Sequence, residues 1–93
     1  MPTVIVKHTV QDFDTWKKAF DADAGRREVI STGGRLYRSA ANPNEVSILM
    51  HVKSLDKAKE WMEDPKLKEV MQAAGVTSAP EFQFLNDSDE FTV

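Results

Sequence analysis

His8 is the side chain with the sharpest chemical potential. It closes a run, Val4-Ile5-Val6-Lys7-His8, whose alternate positions are valine. A neutral imidazole in such company is a proton acceptor that works near pH 7. The plainer alternative is a buried histidine satisfied by one hydrogen bond. Trp16 and Trp61, with Phe20, Phe82 and Phe84, would wall an apolar pocket over His8 that suits a planar aromatic compound. Otherwise the same five residues are simply core. All four arginines fall between residues 26 and 38 (Arg26, Arg27, Arg35 and Arg38), while the eight lysines lie elsewhere. Their forked guanidinium donors match carboxylate or phenolate oxygens. Arg38 shares strand parity with Leu36, so it is the arginine expected on the pocket side. The alternative is ion pairing with Asp21, Asp23 or Glu28. In the catalytic version His8 moves a proton, an arginine holds an oxyanion, and the tryptophans exclude water.

Other chemistries find little support. The only other histidine, His51, differs from His8 in strand parity, and no H-x-x-x-H or paired-carboxylate spacing occurs, so no metal site is expected. There is no Gly-rich phosphate loop and no Ser/His/Asp constellation.

Residues 3–10 are rich in β-branched types and read as a strand. Asp12 is placed to cap a helix in which Phe13, Trp16, Phe20, Ala24 and Arg27 keep helical spacing to near Ile30. Gly33-Gly34 reads as the stop of that helix. Residues 35–41 and 45–53 read as a hairpin about the turn Asn42-Pro43-Asn44. Ser54 caps a second helix with Leu55, Ala58, Trp61 and Met62 on one face. Asp64-Pro65 breaks it and starts a further segment with Leu67, Val70, Met71 and Ala74 inward, ended by Gly75. Residues 80–86 form the last strand. Residues 1–86 are thus expected to be one domain, and 87–93 a loosely held acidic tail. A faint repeat at an offset of 42 residues supports two β-α-β halves. Val4 matches Val46, Asp12 matches Ser54, Phe20 matches Met62, and Gly33 matches Gly75.

Strand alternation sorts the sheet into two faces. Val4, Val6, His8 and Val10, with Val46, Ile48, Met50 and Val52, belong under the helices beside Leu36, Phe82 and Phe84. Ile5, Tyr37, Leu49, His51 and Leu85 fall on the opposite face among polar residues. That mixed face would leave an apolar patch on a lone chain, and such patches mark interfaces. A second copy related by two-fold symmetry would cover it.

Size and composition agree. A chain of 93 residues is one domain and hides only about 60–65% of its unfolded surface, which leaves a monomer marginal. There is no cysteine to supply a disulfide, so oligomerisation is the common remedy. The net charge of −3 argues against general binding to nucleic acid or membrane surfaces. No apolar run approaches the ~20 residues of a membrane span. The first residues lack a basic segment followed by an apolar one, so no secretory signal is expected, and the cytoplasm is the default location.

Gly33-Gly34-Arg35-Leu36-Tyr37-Arg38, then Asn42-Pro43-Asn44-Glu45-Val46 and a hydrophobic strand, resemble small bacterial proteins of the dimeric α+β barrel superfamily. Leu55-Asp56-Lys57-Ala58 and Met71-Gln72-Ala73-Ala74-Gly75-Val76 extend the likeness over roughly residues 3–86. The resemblance implies an α+β, ferredoxin-like β-α-β-β-α-β chain with a four-stranded antiparallel sheet that pairs as a homodimer. That superfamily holds antibiotic-biosynthesis-type monooxygenases that need neither metal nor flavin, haem-degrading oxygenases, lactone isomerases and polyketide cyclases, so fold alone does not settle activity. The haem-degrading members use an Asn on the first strand and a His on the second helical region. Here the first strand carries His8 and no Asn, and residues 55–74 contain no His, so haem degradation is not expected. Two functions remain. One is a cofactor-independent monooxygenase-, cyclase- or isomerase-like enzyme acting on a small aromatic or polyketide-like compound. The other is a non-catalytic ligand-binding or assembly module with the same pocket.

Overall fold

The computed structural model describes residues 1–93. In chain order the elements are β1 (Thr3–Thr9), α1 (Phe13–Ala22), α2 (Ala24–Arg27), β2 (Ser31–Arg38), β3 (Glu45–Val52), α3 (Leu55–Glu63), α4 (Pro65–Ala73) and β4 (Glu81–Leu85). The sheet order is β2-β3-β1-β4 and every neighbouring pair is antiparallel. Strand β3 therefore lies between β1 and β2, as the split β-α-β arrangement requires.

The helices begin where capping chemistry places them. The Asp12 carboxylate accepts from the Thr15 N–H, the Ser54 hydroxyl from the Lys57 N–H, and the Asp64 carboxylate from the Lys66 N–H. Pro65 opens α4, where a missing N–H costs nothing. Gly75, at φ 89°, lets the chain leave α4 through left-handed backbone.

Two expectations are corrected. The first helix does not run unbroken to Ile30. Asp23, at φ −91° and ψ 8°, interrupts it between α1 and the single turn α2, where Asp and Gly25 are poor helix formers. Nor do Gly33-Gly34 stop a helix, because both lie inside β2. A bulge separates Ser31 from Gly33, and Gly33 sits at φ 128°. The Ser31 hydroxyl ties the bulge down by donating to the His51 carbonyl at 2.6 Å and accepting from the Gly33 N–H at 3.0 Å. A Cβ on Gly34 would collide with the Leu49 carbonyl of the neighbouring strand. The repeat thus holds for strand, cap and helix but not for its glycines. Gly75 ends a helix, whereas Gly33 serves a bulge.

The Asn42–Asn44 turn forms as a side-chain-supported turn, with the Asn44 N–H bonded to the Asn42 amide oxygen at 3.0 Å. Asn44 also accepts from the Phe13 N–H through its side chain, at 3.1 Å, and from the Val10 N–H through its backbone, at 2.8 Å. These bonds pin the hairpin to the start of α1, beside His8.

All helices cover one face of the sheet. Val4, Val6, Val46 and Val52 are its most completely buried side chains, each contributing about 1.5–3 kcal/mol by leaving water. Trp16, Ala58 and Leu67 are the buried helical residues and, with Ala74 just past the end of α4, close the layer from above. No helix is long and apolar enough to cross a membrane.

Candidate functional site

The register of β1 fixes His8 opposite Val46 and two residues from Val6, on the face beneath the helices. Only 3% of its surface is exposed. Strand and helix meet here because Asp12 starts α1 four residues after His8, which brings Trp16 back over the imidazole. The two rings meet edge to face at 5.5 Å. Trp16 in turn lies 4.9 Å from Phe20. The Arg27 guanidinium carbon stands 3.5 Å over the Phe20 ring, and its Nη1 donates to the Phe20 carbonyl at 2.6 Å. A continuous column, His8–Trp16–Phe20–Arg27, therefore runs from the sheet to the protein's edge.

His8, Trp16, Phe20 and Trp61 wall one cavity of about 50 Å³. Apart from His8, Asp23 and Arg27 its lining is hydrophobic. The Nδ1 atom of His8 is buried without a hydrogen-bond partner. Burial pushes the imidazole below its ordinary pKa, and a contact with its own backbone opposes that shift. Nδ1 therefore lies against the residue's own backbone without a well-formed hydrogen bond.

The sequence-derived site divides accordingly. His8, Trp16, Phe20 and Trp61 come together, whereas Phe82, Phe84 and Arg38 stand outside this cavity. Phe82 and Phe84 lie opposite Val6 and Val4 in β4. They pack on the core, with Phe82 turned to a separate groove beside Met62 and Met71. Arg38 has the expected parity but is exposed. It stacks 3.9 Å over Phe13 and bonds the Pro43 carbonyl at 2.9 Å, because it belongs to the hairpin end of β2. The arginine that reaches the cavity is Arg27. Asp23 is a second acid–base group on the same wall, held 3.7 Å from Arg26. Both were legible as a stripe, since Trp16, Phe20, Asp23 and Arg27 follow at helical intervals of four, three and four.

A larger cleft of about 630 Å³ lies alongside and shares Phe20, Arg27, Ile48 and Met50 as walls with the inner cavity. On the uncovered face of the sheet, Ile5 pairs directly with Leu49 and both are half-buried, while Tyr37, His51 and Leu85 are exposed. No three of the His, Asp and Glu side chains gather around a common point.

No family model matches the sequence, and no curated protein matches it. Solved structures do. A cofactor-independent oxygenase from Streptomyces nogalater, SnoaB, superposes with a TM-score of 0.73 at 15% identity, covering 96% of this chain and 94% of that one. A candidate antibiotic biosynthesis monooxygenase from Caulobacter crescentus CB15 gives 0.71 at 19% identity, covering 95% and 90%. A conserved protein from Methanosarcina mazei Go1 gives 0.70 at 12% identity, covering 94% and 92%. The chain has their fold. At such identities the likeness is one of backbone architecture, and the chemistry must be argued from the residues.

Proposed function

We propose that the protein is a homodimer that binds a small aromatic or polyketide-like compound and removes a proton from it with His8, without metal, haem or flavin. Oxygenation, cyclisation and isomerisation of such compounds share that first step, which turns an acidic C–H or phenolic O–H into an enolate or phenolate. The observation that carries the reading is a nine-tenths buried imidazole whose Nδ1 lacks a hydrogen-bond partner, in the wall of an apolar cavity bordered by two tryptophans. A lowered pKa keeps that imidazole neutral and able to accept a proton at neutral pH. SnoaB's description as a cofactor-independent oxygenase on the same fold supports the class. The dimer follows from the uncovered Ile5–Leu49 pair flanked by Tyr37 and Leu85 on a chain this small.

The inner cavity holds about 50 Å³, well under the roughly 300–1,000 Å³ of ligand pockets. An aromatic ligand therefore enters by displacing Phe20 and Arg27 towards the adjoining cleft. The small closed volume also favours a second reading, a ligand-binding protein without turnover. A screen of planar phenols and quinones by tryptophan fluorescence and thermal shift tests the first reading. Binding should quench Trp16 or Trp61, and His8→Ala should abolish turnover while leaving a folded protein. Binding without any product in the wild type selects the second reading. If no compound binds, both fall.

A further inference from the structure

The inner cavity shares its walls with a cleft whose chemistry is different. Besides backbone and apolar groups, that cleft is lined by Arg27 and Lys53 against a single carboxylate, Glu28; Arg35 also borders it, but its register opposite Leu49 gives it the parity of Tyr37, on the uncovered face. Two cations against one anion leave one positive charge in a recess of about 630 Å³ on a chain whose net charge is −3. Neither cation is within ion-pair distance of a carboxylate. Lys53 donates at 2.9 Å to the Glu28 backbone carbonyl, and Arg27 to that of Phe20, so neither charge is neutralised. Arg27 is also half-buried, and it alone among the cations lines both spaces. Asp23 and Asp21 are near enough to favour the Arg27 guanidinium but lie beyond ion-pair distance, so its burial is only partly offset and an anion in the cleft would complete the arrangement.

We infer that the cleft is a receptor for the anionic half of the ligand, and that the ligand is a planar aromatic acid. Its carboxylate, or an equivalently placed ionised phenol, is held by Arg27 with Lys53 beside it, and its ring lies along the Phe20 side of the cleft. This deepens the proposed function, on which it rests. The end of the ring system remote from the acid group is the end directed past Phe20 towards His8. The same contact sets specificity, since a neutral analogue leaves Arg27 without a counter-charge. The guanidinium fork, which accepts a carboxylate through two parallel hydrogen bonds, also orients the ring.

The test compares two probes of one shape, 2-naphthoate and 2-naphthamide, by quenching of tryptophan fluorescence in the intact protein. The wild type should bind the carboxylate about tenfold more tightly than the amide, the scale of one charge-assisted hydrogen-bond pair. Raising the salt concentration should erode the preference by weakening naphthoate alone. Arg27→Gln should weaken naphthoate about tenfold and leave naphthamide within about threefold. Should that variant fail to fold, Lys53→Gln, at an exposed position, should still lower naphthoate affinity about threefold and spare the amide. Equal binding of the two probes by the wild type, or equal loss of both in the variants, overturns the anion receptor. So does binding of neither. Equal binding that still depends on His8 and pH keeps the aromatic pocket while refuting the receptor. Arg27-dependent binding that persists in His8→Gln leaves the receptor standing and shows that His8 is not needed to hold the acid.

Discussion

Replacing His8 by leucine should make the protein more stable, and should do so increasingly as the pH falls. The native site buries an imidazole whose Nδ1 has no partner. An unsatisfied buried polar atom costs about 1–3 kcal/mol, which an apolar side chain of similar size does not incur. The edge-to-face contact with Trp16 at 5.5 Å is lost in exchange, at about 0.5–1.5 kcal/mol. The balance is a gain of about 1 kcal/mol at about pH 7.5, or roughly 4–8 °C in Tm for a domain of this size. Protonation adds to it. Burial lowers the native pKa of His8 below the unfolded value of 6.5. Between those two values the unfolded chain therefore binds more protons than the native one. Wild-type stability is complete above about pH 6.5 and falls as the pH drops towards the native pKa, by at most about 1.4 kcal/mol per pH unit. His8→Leu lacks this loss, so its advantage should grow as the pH falls from about 7.5 to about 5.5. Urea melts of both proteins at the two pH values, at one fixed protein concentration, give the four numbers. A variant less stable than the wild type by about 1 kcal/mol or more, with a difference that does not change with pH, would refute the reasoning. His8 would then have a partner and a structural role.

Gly34→Ala should cost about 2–3 kcal/mol, because the added Cβ meets the Leu49 backbone carbonyl; a shift in urea midpoint worth less than about 0.5 kcal/mol would show that β2 simply moves aside. Sedimentation equilibrium of the wild type should give twice the chain mass of 10.5 kDa, and Leu49→Asp should dissociate or unfold it by burying an unpaired charge; a clean wild-type monomer would sink the dimer. Haem titration should give no stoichiometric complex, since residues 55–74 hold no histidine and the two histidines lie on opposite faces of the sheet. A sharp Soret band at one-to-one ratio would contradict that.

Much of the fold was legible because its signals are local. Asp12, Ser54 and Asp64 are caps whatever the tertiary structure, and the valine alternation in β1 and β3 forces one face under the helices. Gly33-Gly34 misled because a glycine pair has two physical uses. A left-handed helix exit and a bulge against a close neighbouring strand look alike until the register is known. The site followed the same division. His8, Trp16, Phe20 and Trp61 could be assembled from periodicity, since strand parity and helix spacing both aim at one point. The choice of Arg38 over Arg27 rested on parity alone. Parity gives the side of the sheet but not the position along it, and Arg38 sits at the hairpin end. Asp23 reads in the sequence as an ion-pair partner for an arginine, a role it has with Arg26, and that reading leaves its place in the Trp16–Phe20–Asp23–Arg27 stripe unused.

The central claim is that His8 takes a proton from a bound aromatic compound. The protonation state of its imidazole, followed by nitrogen NMR on histidine-labelled protein, tests this most directly, with His51 as an exposed internal reference. At about pH 6.5, near the ordinary imidazole pKa, the free protein should show His8 neutral, because burial lowers its pKa. Addition of a planar acidic phenol should convert the His8 signal to the imidazolium form while the His51 signal stays in place. A ligand that quenches Trp16 or Trp61 yet leaves the His8 imidazole neutral at every ratio would contradict the account.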